Sequence, residues 1–175
     1  MLLLLWRTLR ALPQVFRQRE KVFQQLFEIG NASLLMACIL SLFIGGVITL
    51  HTGVELTERG LAGVIGGLVG LSVCKELAPT MMSILIAGRI GSAITAEIGS
   101  MQVYQEVDAL RTMNINPVHY LVLPRLTAIA IALPILVIFS ILVGWFGGAV
   151  VAVNNQKIGL SYVAFFSNLR QMVDL

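Results

Sequence analysis

Residues 76–110 read ELAPTMMSILIAGRIGSAITAEIGSMQVYQEVDAL, and apolar sequence surrounds this stretch on both sides. The stretch nevertheless contains five charged residues, which are Glu76, Arg89, Glu97, Glu106 and Asp108. A charge inside a membrane segment is costly, so such residues usually have a partner or a function. We therefore expect the rest of the chain to place this stretch in a membrane and to present its C-terminal end to water.

Composition indicates an all-α membrane protein. The 175-residue chain is 57% hydrophobic and 12% charged, with a mean hydropathy of +0.88, whereas soluble domains carry about 25% charged residues. The apolar runs are continuous rather than alternating, which favours a polytopic helical bundle. The formal net charge is only +3. No nucleic-acid partner is expected, because the basic residues cluster at one end, as the positive-inside rule would place them.

The N-terminal part of the chain predicts an interfacial helix followed by a first span. Residues 1–28 place apolar side chains at helical spacing and basic residues on other faces, which is typical of an amphipathic helix at a membrane surface. Residues 29–50 carry no charge and are numerous enough to cross ~30 Å of hydrocarbon. Five Lys or Arg residues precede this span, but only Arg59 lies in residues 51–60. The N-terminus is therefore predicted to be cytoplasmic.

Residues 61–101 are apolar but interrupted by charges and by Pro79. At about 1.5 Å per residue this segment is too long for one straight span, so we predict a broken second span with an oblique or re-entrant outer part before Pro79. The alternative is a hairpin of two spans, which would place every segment after residue 101 on the opposite side of the membrane. Small residues that let another helix approach closely recur here: Gly63, Gly66, Gly67, Gly70, Gly88 and Gly91.

The rest of the chain predicts a cytoplasmic segment, a third span and an outer segment, which complete a single membrane domain over residues 1–175. Residues 102–125 are the most polar internal part, with a short helix over 102–113 that Asn116 and Pro117 stop. Residues 126–153 carry no charge, and Pro134 predicts a kink in this third span. Residues 154–175 begin with a polar turn and end in an amphipathic or interfacial helix.

The sequence lacks the motifs of nucleotide and metal sites. It has no Gly-x-x-x-x-Gly-Lys loop to cradle ATP phosphates, and no His-Glu-x-x-His helix or Cys-x-x-Cys pair to bind zinc. Cys38 and Cys74 lie in apolar runs, where a free cysteine acts as a small buried hydrophobic residue. We therefore predict no catalytic residue, no metal site and no cofactor site in this chain.

Arg89 and Glu97 are candidates for the wall of a translocation path. They are eight residues apart, or about two helical turns, so they lie on roughly one face of a helix but too far apart to pair directly. Each needs another partner, water or a polar ligand group. The alternative is local: Arg89 anchors at the headgroups, and Glu97 caps or pairs nearby. Glu76 is a third path candidate, with the alternative role of satisfying backbone groups freed by Pro79.

Glu106 and Asp108 lie in the short helix that follows the second span. A short acidic helix between two spans is typical of a docking element for a separate cytoplasmic subunit. A solvated connecting helix is the alternative.

Five motifs in and after the charged stretch carry a family resemblance. They are Glu-Leu-x-Pro at 76–79, Ala-Gly-Arg-x-Gly-Ser-Ala at 87–93, Thr-Ala-Glu-Ile-Gly-x-Met at 95–101, Glu-x-Asp-Ala-Leu at 106–110, and Asn-Pro followed by Pro-Arg within 116–125. Together they resemble the MlaE/YrbE-type permeases of ABC transporters for lipids. The similarity extends more loosely from the N-terminal helix to Gly148.

The resemblance implies a permease that moves phospholipids or related lipids between membranes. It implies a homodimer in the bacterial inner membrane, or alternatively the chloroplast inner envelope, with cytoplasmic ATPase subunits that bind ATP and Mg and with substrate-binding proteins that carry MCE domains. Residues 89–97 would lie near the dimer interface and the lipid cavity. The coupling helix that docks in an ATPase groove would include Glu106, Asp108, Leu110 and Arg111.

Two features depart from the family pattern. Family members usually have about five helical spans, so this chain, with three predicted spans, is expected to be truncated relative to them. His51 stands where members often have a glutamine, and no role is assigned to it.

Two other function classes fit part of the pattern. An ion-gradient-driven secondary transporter or channel would also have broken helices and intramembrane charges. An intramembrane enzyme would use Glu76 and Glu97, which are 21 residues apart and could meet only if the chain folded back at Pro79.

Overall fold

The structure, a computed structural model, describes residues 19–113 and 118–173, and the regular secondary structure of these residues is entirely helical. No strand occurs in these residues. Three helical stretches within them are long and apolar enough to cross a membrane, namely Val22–Glu58, Ala62–Val103 and Tyr120–Asn154. The predicted all-α fold with three candidate spans is confirmed. The predicted segment boundaries, and the side of the membrane given to each segment, stay predictions.

Six α-helices occur in the described residues. They are α1 Arg19–Glu58, α2 Ile65–Ser72, α3 Ala78–Val103, α4 Glu106–Thr112, α5 Leu123–Asn154 and α6 Tyr162–Val173. The predicted interfacial helix over 1–28 lies mostly outside the described residues. Residues 19–28 continue into the first apolar stretch as one helix, because neither a proline nor a turn residue with left-handed backbone interrupts α1.

The second apolar stretch is helical at every residue from Ala62 to Val103, through a 3-10 turn at Ala62–Val64, α2, a π-helical segment at Val73–Leu77 and α3. In the π-helical segment the N–H of Ala78 donates to the Val73 carbonyl, five residues earlier. This wider turn lies directly before Pro79, which lacks an N–H and is tolerated in the first turn of a helix. A single broken crossing stays our prediction for this stretch.

The chain divides into two compact units, and the first contains residues 19–33, 85–113 and 118–134 of the described chain. Its buried apolar side chains come from α1, α3, α4 and α5 and are Val22, Ile29, Ile86, Ile90, Val107, Leu123, Ala128 and Ala132. Two polar residues, Ser33 and Arg125, are buried among them. This unit holds the C-terminal part of the charged stretch.

The second unit contains residues 34–84 and 135–173 of the described chain. Small residues bring α1 and α5 together there, as expected for helices that pack in a membrane. A methyl group at Gly45 would collide with the backbone carbonyl of Gly144, and the hydroxyls of Ser41 and Ser140 lie 2.6 Å apart. The apolar core beside this contact consists of Ile65, Val69, Val73, Ala78, Ala149, Ala152, Ile158, Phe165 and Leu169.

Candidate functional site

Charged residues of the first unit make contacts that join its helices. Arg125 lies at the start of α5, and its Nη2 donates to Oε1 of Glu97 on α3. Arg89, two turns earlier on α3, donates through Nη1 to the backbone carbonyl of Ala32 on α1. The two predicted path residues on α3 are thereby connected to α5 and to α1.

These two contacts border a cleft that we call the arginine cleft, with a volume of about 370 Å³. It is lined by residues of α1, α3 and α5: Gln25, Glu28, Ile29, Ala32, Ser33, Arg89, Ile90, Ala93, Ile94, Glu97 and Arg125. Two basic and two acidic side chains thus share one concave surface with three isoleucines. Clefts of roughly 300–1,000 Å³ with a few convergent polar groups are typical of ligand sites.

Two buried polar atoms in the wall of the arginine cleft have no hydrogen-bond partner among the described residues. They are Nη1 of Arg125 and Oγ of Ser33. The two residues are 6% and 0% exposed. Buried polar groups in native proteins are nearly always satisfied by protein, water or a ligand, so these two atoms are candidates for contact with a bound water or ligand.

Arg125 and Ser33 were not among the predicted site residues. Arg125 had a detectable signal, because it is the last charge before the charge-free residues 126–153, and Glu97 in its apolar segment required a basic partner. Ser33 had no such signal, since a hydroxyl in an apolar helix usually bonds to a carbonyl of its own helix.

Glu76, the third predicted path residue, lies in the second unit and does not line the arginine cleft. It belongs to the π-helical segment Val73–Leu77, where its side chain is exposed. The hydroxyl of Thr80 donates to the backbone carbonyl of Glu76. Polar side chains therefore satisfy backbone groups beside Pro79.

The predicted docking residues lie on α4. Glu106 and Asp108 are exposed and Leu110 is half-buried, while Val107 is buried and attaches the helix to the first unit. Of Arg111 only the backbone lies within the described residues. Exposed apolar side chains adjoin the acidic pair, since Val103, Tyr104 and Met113 are 79%, 76% and 64% exposed. This surface combines negative charge with apolar area.

The start of α4 differs from the predicted helix over 102–113. Gln102 and Val103 continue α3, and the new helix begins only at Glu106. Between the two helices, Gln105 adopts a left-handed backbone with φ of 59°, a conformation that ends a right-handed helix and that non-glycine residues seldom adopt. Only Tyr104 and Gln105 separate α3 from α4, so the connection is a tight corner.

The predicted packing glycines have different surroundings. In the second unit, a methyl group at Gly66 would collide with the backbone carbonyl of Phe165, and one at Gly70 would lie 2.9 Å from the Leu169 side chain, which is how α2 packs against α6. Gly67 is buried. Methyl groups at Gly63, Gly88 and Gly91 would meet no atom of another segment within 4 Å among the described residues.

Cysteine and acidic residues offer no metal centre in the part of the chain that the structure describes. No group of three or more His, Cys, Asp or Glu residues there could hold a metal ion. Cys38 and Cys74 are free thiols and are half-buried.

Comparison with known proteins identifies relatives over most of the chain. Residues 22–175 match the family described as Permease MlaE. A probable ABC transporter permease protein of Synechocystis sp. is 39% identical over 155 residues, which are 86% of this chain and 59% of that protein. The intermembrane phospholipid transport system permease protein MlaE of Haemophilus influenzae is 34% identical over 170 residues, 97% of this chain and 64% of that protein.

A plant relative extends the comparison. The chloroplastic protein TRIGALACTOSYLDIACYLGLYCEROL 1 of Arabidopsis thaliana is 40% identical over 133 residues, 76% of this chain and 38% of that protein. The chain therefore spans less than two thirds of the length of each of these relatives.

Proposed function

The chain belongs to the MlaE permease family, and on this premise we propose that it is a membrane-spanning permease subunit of an ABC transporter that moves phospholipids or related lipids between membranes. One arrangement in the first unit carries the proposal. The helix that lines the arginine cleft with Arg89 and Glu97 is joined by a two-residue corner to α4, whose acidic residues are exposed. The printed name of the Haemophilus relative, which specifies intermembrane phospholipid transport, supports the choice of substrate.

A separate cytoplasmic ATPase subunit supplies the energy in this proposal. It binds ATP and Mg, and the permease chain hydrolyses nothing. Its groove receives α4 through Glu106, Asp108, Leu110 and Arg111. The exposed acidic and apolar side chains on and beside α4 support this role, because a docking helix needs both charge for orientation and apolar area for affinity.

Motion passes from the ATPase to the lipid path through rigid helices. The corner at Tyr104 and Gln105 is too short to absorb a displacement of α4, so α3 moves with it. The Arg125–Glu97 ion pair extends that motion to the start of α5. The arginine cleft then changes shape and moves a bound lipid. Glu76, in the second unit, is a further candidate residue for lipid transport.

The remaining partners follow from the family. A second copy of the chain packs near the face of α3 that carries Gly88 and Gly91, and the open space around these glycines in one chain supports this placement. A protein with MCE domains delivers or receives the lipid. The assembly resides in the bacterial inner membrane with the N-terminus in the cytoplasm, or alternatively in the chloroplast inner envelope. The excess of basic residues before the first span supports this orientation.

Reconstitution tests the proposal. The chain is placed in proteoliposomes with or without its cognate ATPase subunit, and transfer of a fluorescent phospholipid to acceptor vesicles is recorded. We expect transfer only when the ATPase and ATP are both present. Transfer driven by an ion gradient without ATP would instead identify a secondary transporter. ATP hydrolysis by the purified chain alone would contradict the assignment of hydrolysis to the separate ATPase subunit.

A further inference from the structure

The buried atoms in the wall of the arginine cleft include two hydrogen-bond donors that an anionic group would satisfy. Nη1 of Arg125 can only donate a hydrogen bond, and the hydroxyl of Ser33 can donate one. Both atoms are buried and have no partner among the described residues. A phosphate group suits donors of both kinds, because it carries negative charge and several acceptor oxygens.

The charge of the arginine cleft also favours a ligand with a cationic part. Glu28 and Glu97 line it together with Arg89 and Arg125. Glu97 already accepts a hydrogen bond from Arg125, whereas Glu28 projects from α1 at an exposed position. A purely anionic ligand would meet repulsion from these carboxylates, while a ligand that carries both charges would not.

The position of the arginine cleft along the chain matches the depth of lipid headgroups. Its lining residues on α1 flank position 29, where the first span is predicted to begin. Glu97 lies near the predicted end of the second span at 101, and Arg125 directly precedes the third at 126. These are the predicted cytoplasmic ends of all three spans. Headgroups occupy this zone between the hydrocarbon and water.

We propose that the arginine cleft binds the headgroup of a zwitterionic phospholipid that carries a primary amine, with the phosphate at Arg125 and Ser33 and the ammonium at Glu28. The proposal rests on the proposed function and names its substrate class. A primary ammonium donates hydrogen bonds to a carboxylate, which a quaternary ammonium cannot do. A glycerol headgroup lacks the positive charge altogether.

The test uses the 175-residue chain in detergent and short-chain lipids that differ only in the headgroup. Dihexanoyl phosphatidylethanolamine, phosphatidylcholine and phosphatidylglycerol are titrated, and the bound fraction is read by native mass spectrometry. We expect the ethanolamine lipid to bind about tenfold more tightly than the other two, which corresponds to one charge-assisted hydrogen bond. Equal binding of the three lipids would overturn the proposal.

Free phosphoethanolamine and inorganic phosphate form the second arm of the test. Both are expected to bind more weakly than the ethanolamine lipid, because neither fills the apolar part of the site. Binding of either compound as tightly as the lipid would overturn the proposal and assign the site to a soluble anion.

Matched variants separate the two halves of the site. Glu28→Gln is expected to abolish the preference for ethanolamine while the other two lipids bind as before, whereas Glu20→Gln, on the same helix but outside the arginine cleft, keeps the preference. Ser33→Ala is expected to weaken all three lipids about equally, and Ser83→Ala is its control. An unchanged preference in Glu28→Gln would contradict the ammonium position.

The binding assay and the ATP-driven transfer assay together distinguish this inference from the proposed function. ATP-driven transfer without any headgroup preference would remove the inference and leave the permease assignment intact. A headgroup preference without ATP-driven transfer would support the site and contradict the assignment.

Discussion

Arg125 donates through Nη2 to Oε1 of Glu97, and this ion pair connects α5 to α3 across the 28 positions that include α4. The Arg125 side chain is 7% exposed and that of Glu97 is 51% exposed. The ion pair therefore holds together the two helices of the first unit that flank α4 in the chain. In the proposed mechanism, a force applied to α4 would therefore act on both α3 and α5.

Loss of this ion pair is expected to destabilise the protein. Glu97→Gln leaves the guanidinium of Arg125 buried without its anion. We expect the free energy of unfolding to fall by about 2 kcal/mol. This value lies between the ~0–1 kcal/mol of an exposed ion pair and the ~3–5 kcal/mol lost when a buried pair is broken. Unfolding in mixed micelles measures the change. Glu55→Gln is the control, because its pair with Arg59 is 60% and 67% exposed. A loss in Glu97→Gln no larger than in the control would contradict the structural role of the pair.

Charge reversal on α4 is expected to release the ATPase subunit. The double variant Glu106→Lys/Asp108→Lys places positive charge on the docking surface and should lower recovery of the ATPase in affinity purification by about tenfold or more. The control is the double variant Glu55→Lys/Glu58→Lys, which reverses the charge of two exposed residues at the C-terminal end of α1. This variant should retain the ATPase. Undiminished recovery with the α4 variant would argue against docking at this helix.

Close approach of α1 and α5 in the second unit is expected to make Gly45 intolerant of side chains. Gly45→Ala forces a methyl group against the Gly144 carbonyl, and overpacking of this kind costs about 1–3 kcal/mol. In Gly30→Ala, on the same helix, the added methyl group meets no atom within 4 Å in the described part of the chain. This variant should be neutral or stabilising by up to ~1 kcal/mol, because alanine favours helices more than glycine does. Similar melting temperatures for both variants would contradict the packing.

The hydroxyl pair between these helices is expected to contribute a measurable interaction. Ser41 also donates to the Ser140 carbonyl at 2.7 Å, so Ser41→Ala should cost about 0.6–2 kcal/mol, the range for interhelical hydrogen bonds in membranes. Ser83→Ala removes an exposed hydroxyl that bonds within its own helix and should cost less. A double-mutant cycle with Ser140→Ala isolates the pair, and a coupling energy of zero would show that the two hydroxyls do not interact.

The fold class was accessible from sequence because membrane spans are a property of local composition. Long charge-free runs and continuous hydrophobicity sufficed to predict three helical spans. The spacing of Arg89 and Glu97 likewise indicated that each needed another partner. The identity of those partners, the Ala32 carbonyl and Arg125, depends on which distant segments pack together, and the residue pattern around the two charges does not encode that choice.

Two local features were missed for a different physical reason. Gln105 takes a left-handed conformation without being glycine or asparagine, so no turn signal preceded α4. The π-helical segment Val73–Leu77 before Pro79 was missed as well, because its composition carries no signal for the wider turn; that residues 61–101 form one broken span stays a prediction. The roles of the cleft residues and of the docking residues stay predictions.

A flexible insertion at the corner between α3 and α4 tests the transmission of force most directly. Gly-Ser-Gly is inserted after Gln105, and the same insertion after Gln156, in the turn between α5 and α6, is the control. Lipid transfer and ATP hydrolysis are measured together in proteoliposomes with the ATPase subunit. We predict that the insertion after Gln105 leaves ATP hydrolysis in place but abolishes lipid transfer, while the control retains both. Transfer at the unmodified rate with the Gln105 insertion would contradict the claim that α4 drives the lipid path through a rigid connection.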